Sequence, residues 1–199
     1  MTQSPLTIAT LVGSRICHDL ISPVGAIHNG IELISIAGPI DSPELTLIAD
    51  SVTNAASRIK FFRVAFGNTV GEQMVGAPEA AKTAADAFAG GRSAVNWQAN
   101  GDLPRAEVQA AYLAVLCIES ALHRGGTITV TGDDHGIRVT GEGGRVACEP
   151  ELWQPLATGE VPEGLRPAHV QFALLVMAVA ELGRTLSTAT RETDVSISF

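Results

Sequence analysis

A chain of 199 residues has room for one large domain or two small ones, and its formal net charge of -8, carried without a basic cluster, argues against a nucleic-acid surface. Its three cysteines, Cys17, Cys117 and Cys148, are odd in number and widely spaced, which argues against a disulfide framework or a zinc site and for a reducing cytoplasm. The N-terminus lacks the charged start and apolar run of a signal peptide, and the longest apolar run, Phe172 to Ala180, falls far short of the ~20 residues that span a bilayer, so a cytoplasmic protein with no membrane segment is expected.

From about Leu6 to Ala37 the pattern predicts a first helix, with Ile16, Leu20, Val24, Ile27, Ile31 and Ile34 recurring by threes and fours and Gly38-Pro39 ending it. At roughly 100° per residue, His18 lies about 200° from Ile16 and from Leu20, so it is presented away from the apolar seam. Leu11, Ser14, Arg15, Ile21, Ser22 and Gly25 share its face. Short side chains at Ser14, Ser22 and Gly25 let another protein approach closely, and Leu11 and Ile21 give it apolar surface to cover. Pro23, inside the helix, is expected to bend it. A second helix restarts at Ser42, the predicted N-cap, with Pro43 and Glu44 in its first turn. Leu45, Ile48, Val52, Ala55, Ile59, Phe62 and Phe66 form its stripe, and Gly67 to Gly71 close it. An antiparallel hairpin cannot bury two such stripes within itself. Pairing of two copies into a four-helix bundle is the expected solution, with coverage by the rest of the same chain as the alternative.

Gly76 and Pro78 mark a linker, dividing residues 1–72 (helical hairpin) from residues 77–199. Glu79–Phe88 reads as a helix, Ser93–Ala99 as a strand, and Pro104–Leu122 as a long helix. Thr127–Thr131 and Ile137–Thr140 alternate as strands joined at the turn Asp133-Asp134-His135-Gly136. The Pro- and Gly-rich stretch from Pro150 to Pro167 reads as loop, followed by a helix to Leu182 and strands around Leu186–Ala189 and Val195–Phe199. The predicted class is α+β: a helical hairpin, then helices layered on a mostly antiparallel sheet.

His18-Asp19-Leu20, with Pro23 five residues after the histidine, resembles the phosphoacceptor box of two-component histidine kinases, in which a histidine, an acidic residue and a proline open a helical hairpin. The fuller string CHDLISPVGAIHNGIELI resembles more narrowly the ChpT-type histidine phosphotransferases, dimeric proteins built like a kinase core without its ATP site. The likeness is strongest over residues 14–34 and looser, by element order, over the rest. It implies that His18 accepts a phosphoryl group from the receiver aspartate of a hybrid histidine kinase and passes it to response-regulator aspartates. Neutral imidazole suits that task, being nucleophilic near pH 7 and forming a phosphoramidate that can hand its group on. Asp19 is the candidate to orient the ring or accept its proton, with a plain helix-surface carboxylate as the alternative. The receiver is expected to dock over Leu11, Ser14, Arg15, Ile21, Ser22 and Gly25. It brings the acceptor aspartate and a divalent metal, so this chain needs no cofactor of its own.

The order of elements after residue 104 resembles the ATP-binding domain of histidine kinases, yet the nucleotide features are missing together. There is no asparagine between Leu113 and Arg124, no aspartate from Ile137 to Val146, and no glycine-rich lid over Val161–Gln171. The expected second domain is therefore a degenerate ATPase-like α/β sandwich, and the chain a phosphotransfer protein rather than an ATP-using kinase. His28, His123, His135 and His169 read as surface or turn residues, Asp133-Asp134-His135 as a tight turn rather than a metal site, Gly141 to Gly144 as a β-turn, and Cys17 as a small half-buried residue. Two alternatives stay open. One is an ATP-dependent kinase core with drifted motifs; the other is a non-catalytic dimer that binds receivers, in which His18 is dispensable.

Overall fold

The computed structural model describes residues 5–37, 43–69, 73–133 and 136–199. Helices α1 (Pro5–Ala37) and α2 (Pro43–Ala65) pack along each other as a hairpin, and α1 runs through Pro23 as one helix. The predicted cap at Ser42, the breaks at Gly38-Pro39 and Gly71, and the tip residues Asp134 and His135 lie outside the described residues.

The C-terminal end of α2 is where the hairpin joins the rest of the chain. Phe61 stacks on Tyr112, with ring centroids 4.4 Å apart, and meets Phe88 edge-on at 5.6 Å. Phe61, Phe62 and Ala65 belong to the same buried cluster as the sheet and its covering helices. A helix end leaves carbonyls unsatisfied, and here α4 (Arg105–Ala121) supplies the donors: Gln109 Nε2 reaches the Gly67 carbonyl at 2.6 Å, and Arg105 Nη2 reaches that of Arg63 at 3.2 Å. Burial of an aromatic ring contributes about 2–3 kcal/mol, so this contact outweighs the capping bonds it accompanies.

The sheet has the order β2 (Ser93–Trp97), β4 (Gly126–Asp133), β5 (Gly136–Glu142), β7 (Asp194–Ser198) and β6 (Ser187–Thr190). β2 and β4 are parallel, which requires the crossover that α4 provides, and the remaining pairs are antiparallel. Ile128, Val130, Ile137, Val139, Val195 and Ile197 alternate onto the buried face. Over it lie α4 and α6 (Val170–Glu181), while α3 (Ala77–Phe88) covers the β2 end. Where α4 meets the sheet, close approach requires glycine. Gly125 takes φ +79° where α4 turns into β4, and a Cβ on Gly141 would strike Ile118 of α4.

Three features depart from the sequence reading. The Pro- and Gly-rich stretch contains a helix, α5 (Pro150–Thr158), because Pro150 occupies its first turn, Leu152, Trp153 and Leu156 bury one face, and Gly159 at φ 72° closes it. Burial of Trp153 against Phe172, at 5.7 Å between ring centroids, outweighs the helix-breaking composition. A two-stranded sheet, β1 (Met74–Val75) with β3 (Leu103–Pro104), is too short to leave a pattern in sequence. Gly141 and Glu142 lie within β5 rather than in a turn. Among the described residues no helix is long and apolar enough to cross a membrane.

Candidate functional site

His18, Asp19 and Arg15 lie within one turn of α1 and differ sharply in exposure. The His18 side chain is 83% exposed and that of Asp19 only 9%. Asp19 Oδ1 sits 3.1 Å from His18 Nδ1, and Oδ2 accepts from Arg15 Nε at 2.7 Å. A carboxylate oxygen has only lone pairs to offer, so the contact places the ring proton on Nδ1 and leaves the lone pair on Nε2, the nitrogen further from the helix. The ring stands in solvent while the carboxylate that contacts it is largely buried.

A cavity of about 360 Å³ opens beside the ring, between α1, α2 and the turn Ala89-Gly90-Gly91 that follows α3; His18, Asp19, Ser22 and Pro23 line it from α1, and Ser51, Asn54 and Arg58 from α2. Arg58 and Asp19 also line a second cavity of about 280 Å³, whose other walls include Arg15, Arg92, Glu119, His123 and His169. Burial pushes the Glu119 carboxyl up from its ordinary value, with Arg15, Arg58 and Arg92 pulling the other way. Burial, with Arg166 adding repulsion, pushes the His169 imidazole down. Arg58 makes no hydrogen bond or ion pair among the described residues, so its guanidinium is available to an anion.

Of the face predicted around His18, Ser14, Ser22 and Gly25 are exposed, and a Cβ on Gly25 would meet nothing within 4 Å. Leu11 is half-buried and packs on the small cluster of Ile8, Val170 and Ala173, while Arg15 turns inward to Asp19 and to the carbonyl of Ala168. The side chains of Ile21 and Cys17 lie outside the described residues. His28 is exposed, 3.5 Å from Glu32. Ser51, Asn54 and Arg58 were not singled out in sequence, although their spacing of three and four residues puts a polar line on a helix otherwise read for its apolar stripe.

The region that would cover a nucleotide is packed down. Val161 and Leu165 sit on the buried clusters, and the 3-10 turn Pro167–His169 rests against α1.

A family model described as the histidine phosphotransferase C-terminal domain matches residues 77–194. Over 205 aligned residues the chain is 34% identical to protein phosphotransferase ChpT of Brucella abortus (strain 2308), with 100% of this chain and 97% of that protein covered. The chain belongs to the histidine phosphotransferase family. This histidine phosphotransferase is also similar, with a TM-score of 0.83 and 31% identity, to a solved bacterial phosphotransferase, the match covering 100% of this chain and 98% of the other. The family match thus falls on the half of the phosphotransferase that lacks the nucleotide motifs, and the full-length likeness extends it to the helix that carries His18. Its role is protein phosphotransfer in a two-component phosphorelay.

Proposed function

We propose that His18 is the phosphoacceptor of this phosphotransferase, taking its phosphoryl group from the receiver domain of a hybrid histidine kinase and giving it to response-regulator aspartates. The observation that carries the reading is the division of exposure at the site, with an 83% exposed imidazole held at Nδ1 by a carboxylate that is 9% exposed. In the forward step Nε2 attacks the phosphorus of the aspartyl phosphate, the N–P bond forms as the P–O bond to the aspartate breaks, and the carboxylate leaves. The Nδ1 proton stays in place, and Asp19 stabilises the positive ring. In the return step a response-regulator carboxylate oxygen attacks the same phosphorus and the electron pair goes back to Nε2. The divalent cation that neutralises the phosphoryl oxygens is assigned to the receiver domain.

Docking is assigned to the exposed members of the His18 face, Ser14, Ser22 and Gly25, where short side chains admit a partner. The protein is proposed to act as a homodimer through the hairpin. Val24, Ile31, Ile36, Leu45, Val52 and Ile59 are all exposed along α1 and α2, apolar surface that a second copy would cover.

The test uses the purified chain and its His18→Ala variant, each incubated with a phosphorylated receiver and, separately, with ATP and magnesium. Label should pass from the receiver to the native protein only, and ATP should give none. Label from ATP, or equal label on the variant, would overturn the assignment.

A further inference from the structure

Arg15 spends its guanidinium twice. One turn before Asp19 on α1, its Nε donates to Asp19 Oδ2 at 2.7 Å, and its Nη1 donates to the backbone carbonyl of Ala168 at 2.6 Å, a bond between residues 153 positions apart. Ala168 lies in the 3-10 turn that opens α6. Oδ1 of the same carboxylate faces His18 Nδ1 at 3.1 Å. A continuous series therefore runs from the backbone of the turn before α6, through a guanidinium and a carboxylate, to the exposed imidazole. Both oxygens of Asp19 are engaged, one by the Arg15 guanidinium and the other by the ring.

We propose that Arg15 is a positioning residue for phosphoryl transfer: it lets the turn Pro167–His169 fix Asp19, and through Asp19 the tautomer and direction of the His18 ring. The proposal rests on the reading of His18 as the phosphoacceptor. It gives the second half of the chain a part in the reactivity of a histidine carried by the first. Three observations support it beyond an ordinary one-turn ion pair. The Arg15 and Asp19 side chains are 14% and 9% exposed, so the pair is shielded where surface pairs are screened. Ile8, Leu11 and Val12 of α1 pack with Val170 and Ala173 of α6, a stiff apolar contact one to two turns below Arg15 that fixes where Ala168 stands. The other titratable groups that line the cavity beside the guanidinium, Arg58, Arg92, Glu119, His123 and His169, make no hydrogen bond to Arg15 among the described residues. Two diverging planar bonds are what a guanidinium can make and an ammonium cannot, so lysine is a partial substitute only.

The experiment compares native protein with Arg15→Gln and Arg15→Lys, all full length. Rates of His18 phosphorylation are measured with phosphoramidate, a small donor that needs no docking surface, and single-turnover transfer is followed against receiver concentration. The nitrogen NMR shifts of the His18 ring are read on the unphosphorylated proteins. For Arg15→Gln the expected result is a fall of ~10-fold or more in both the phosphoramidate rate and the saturating transfer rate, with half-saturation changed less than ~2-fold, and ring shifts moved from the Nδ1–H form toward a mixture of tautomers. Arg15→Lys should lie between. A raised half-saturation at an unchanged saturating rate would instead make Arg15 a docking residue, and unchanged rates and shifts would leave it a helix staple; either overturns the proposal. Should no label reach His18 even in the native protein, the phosphoacceptor reading fails, while the ring shifts still decide whether Arg15 sets the tautomer.

Discussion

Arg58 reaches the His18 cavity from α2 with no hydrogen bond or ion pair of its own among the described residues. A transferring phosphoryl group spreads negative charge over its peripheral oxygens, and a guanidinium already in place costs no reorganisation when that charge develops. Arg58→Ala is therefore expected to lower the saturating transfer rate by ~10-fold or more, and Arg58→Lys by less, with stopped-flow or quench measurements against receiver concentration as the check. Unchanged saturating rates in Arg58→Ala would assign the residue to structure alone. The outward direction of His18 was legible because it follows from helical angle, and Asp19 was legible as its neighbour because the two are adjacent letters, but the burial of Asp19 was not. Arg58 was not, because its place beside His18 depends on the register between two helices, which no single helix encodes. Arg15 was legible as a neighbour of His18 but not as a buried one. Its inward turn is set by Ala168, 153 residues away.

At the level of elements, α4 ties hairpin and sheet together, and two predictions bear on it. Phe61 is 1% exposed and stacked on Tyr112, so Phe61→Ala should cost about 3–5 kcal/mol in urea unfolding, and more than Phe66→Ala, whose ring is only half-buried. Equal costs would show that the stack does not anchor the hairpin. The second concerns Glu119, whose carboxyl burial raises from its ordinary value of 4.5. A raised native value means that the folded state holds the proton to higher pH than the unfolded state. The stability tied to it is complete below the unfolded value and is lost as pH rises through the folded one. Glu119→Gln, which does not titrate, should therefore raise the melting temperature relative to native protein at pH 8 more than at pH 4. A pH-independent difference would place the carboxylate in water. Most elements were readable from period and from Gly and Pro punctuation, and so was a mostly antiparallel sheet; the parallel pairing of β2 with β4 across α4 was not foreseen, because it depends on where the crossover returns the chain. α5 was hidden because composition spoke against it, while its actual signal, Pro150 in the first turn, Leu152, Trp153 and Leu156 on one face and Gly159 at the end, carries weight only once Phe172 is there to cover the tryptophan.

For the molecule as a whole, the two apolar stripes seen in sequence divide between two destinations. At the end nearer the sheet, Ile16, Phe61, Phe62 and Ala65 join the buried cluster of the same chain. Further along, Val24, Ile31, Leu45, Val52 and Ile59 stay between 42% and 58% exposed. Periodicity shows that a helix has an apolar side; it does not say whether the cover comes from the same chain or another, and here the sequence had left both open. Coverage from within reaches only part of the hairpin, so the exposed remainder favours a second copy. Each such side chain buried fully contributes about 1.5–3 kcal/mol, and a handful on each copy, doubled by a two-fold axis, is enough to hold a dimer against the entropy of association. Light scattering on native protein at micromolar concentration should give twice the 20.7 kDa chain mass, and the double variant Val52→Glu with Ile59→Glu should move it toward the monomer. Neither residue lines the cavity beside His18, so phosphoramidate labelling of the monomeric variant should persist near the native rate. A native monomer, or a variant that stays dimeric, would mean that the exposed stripe serves another partner.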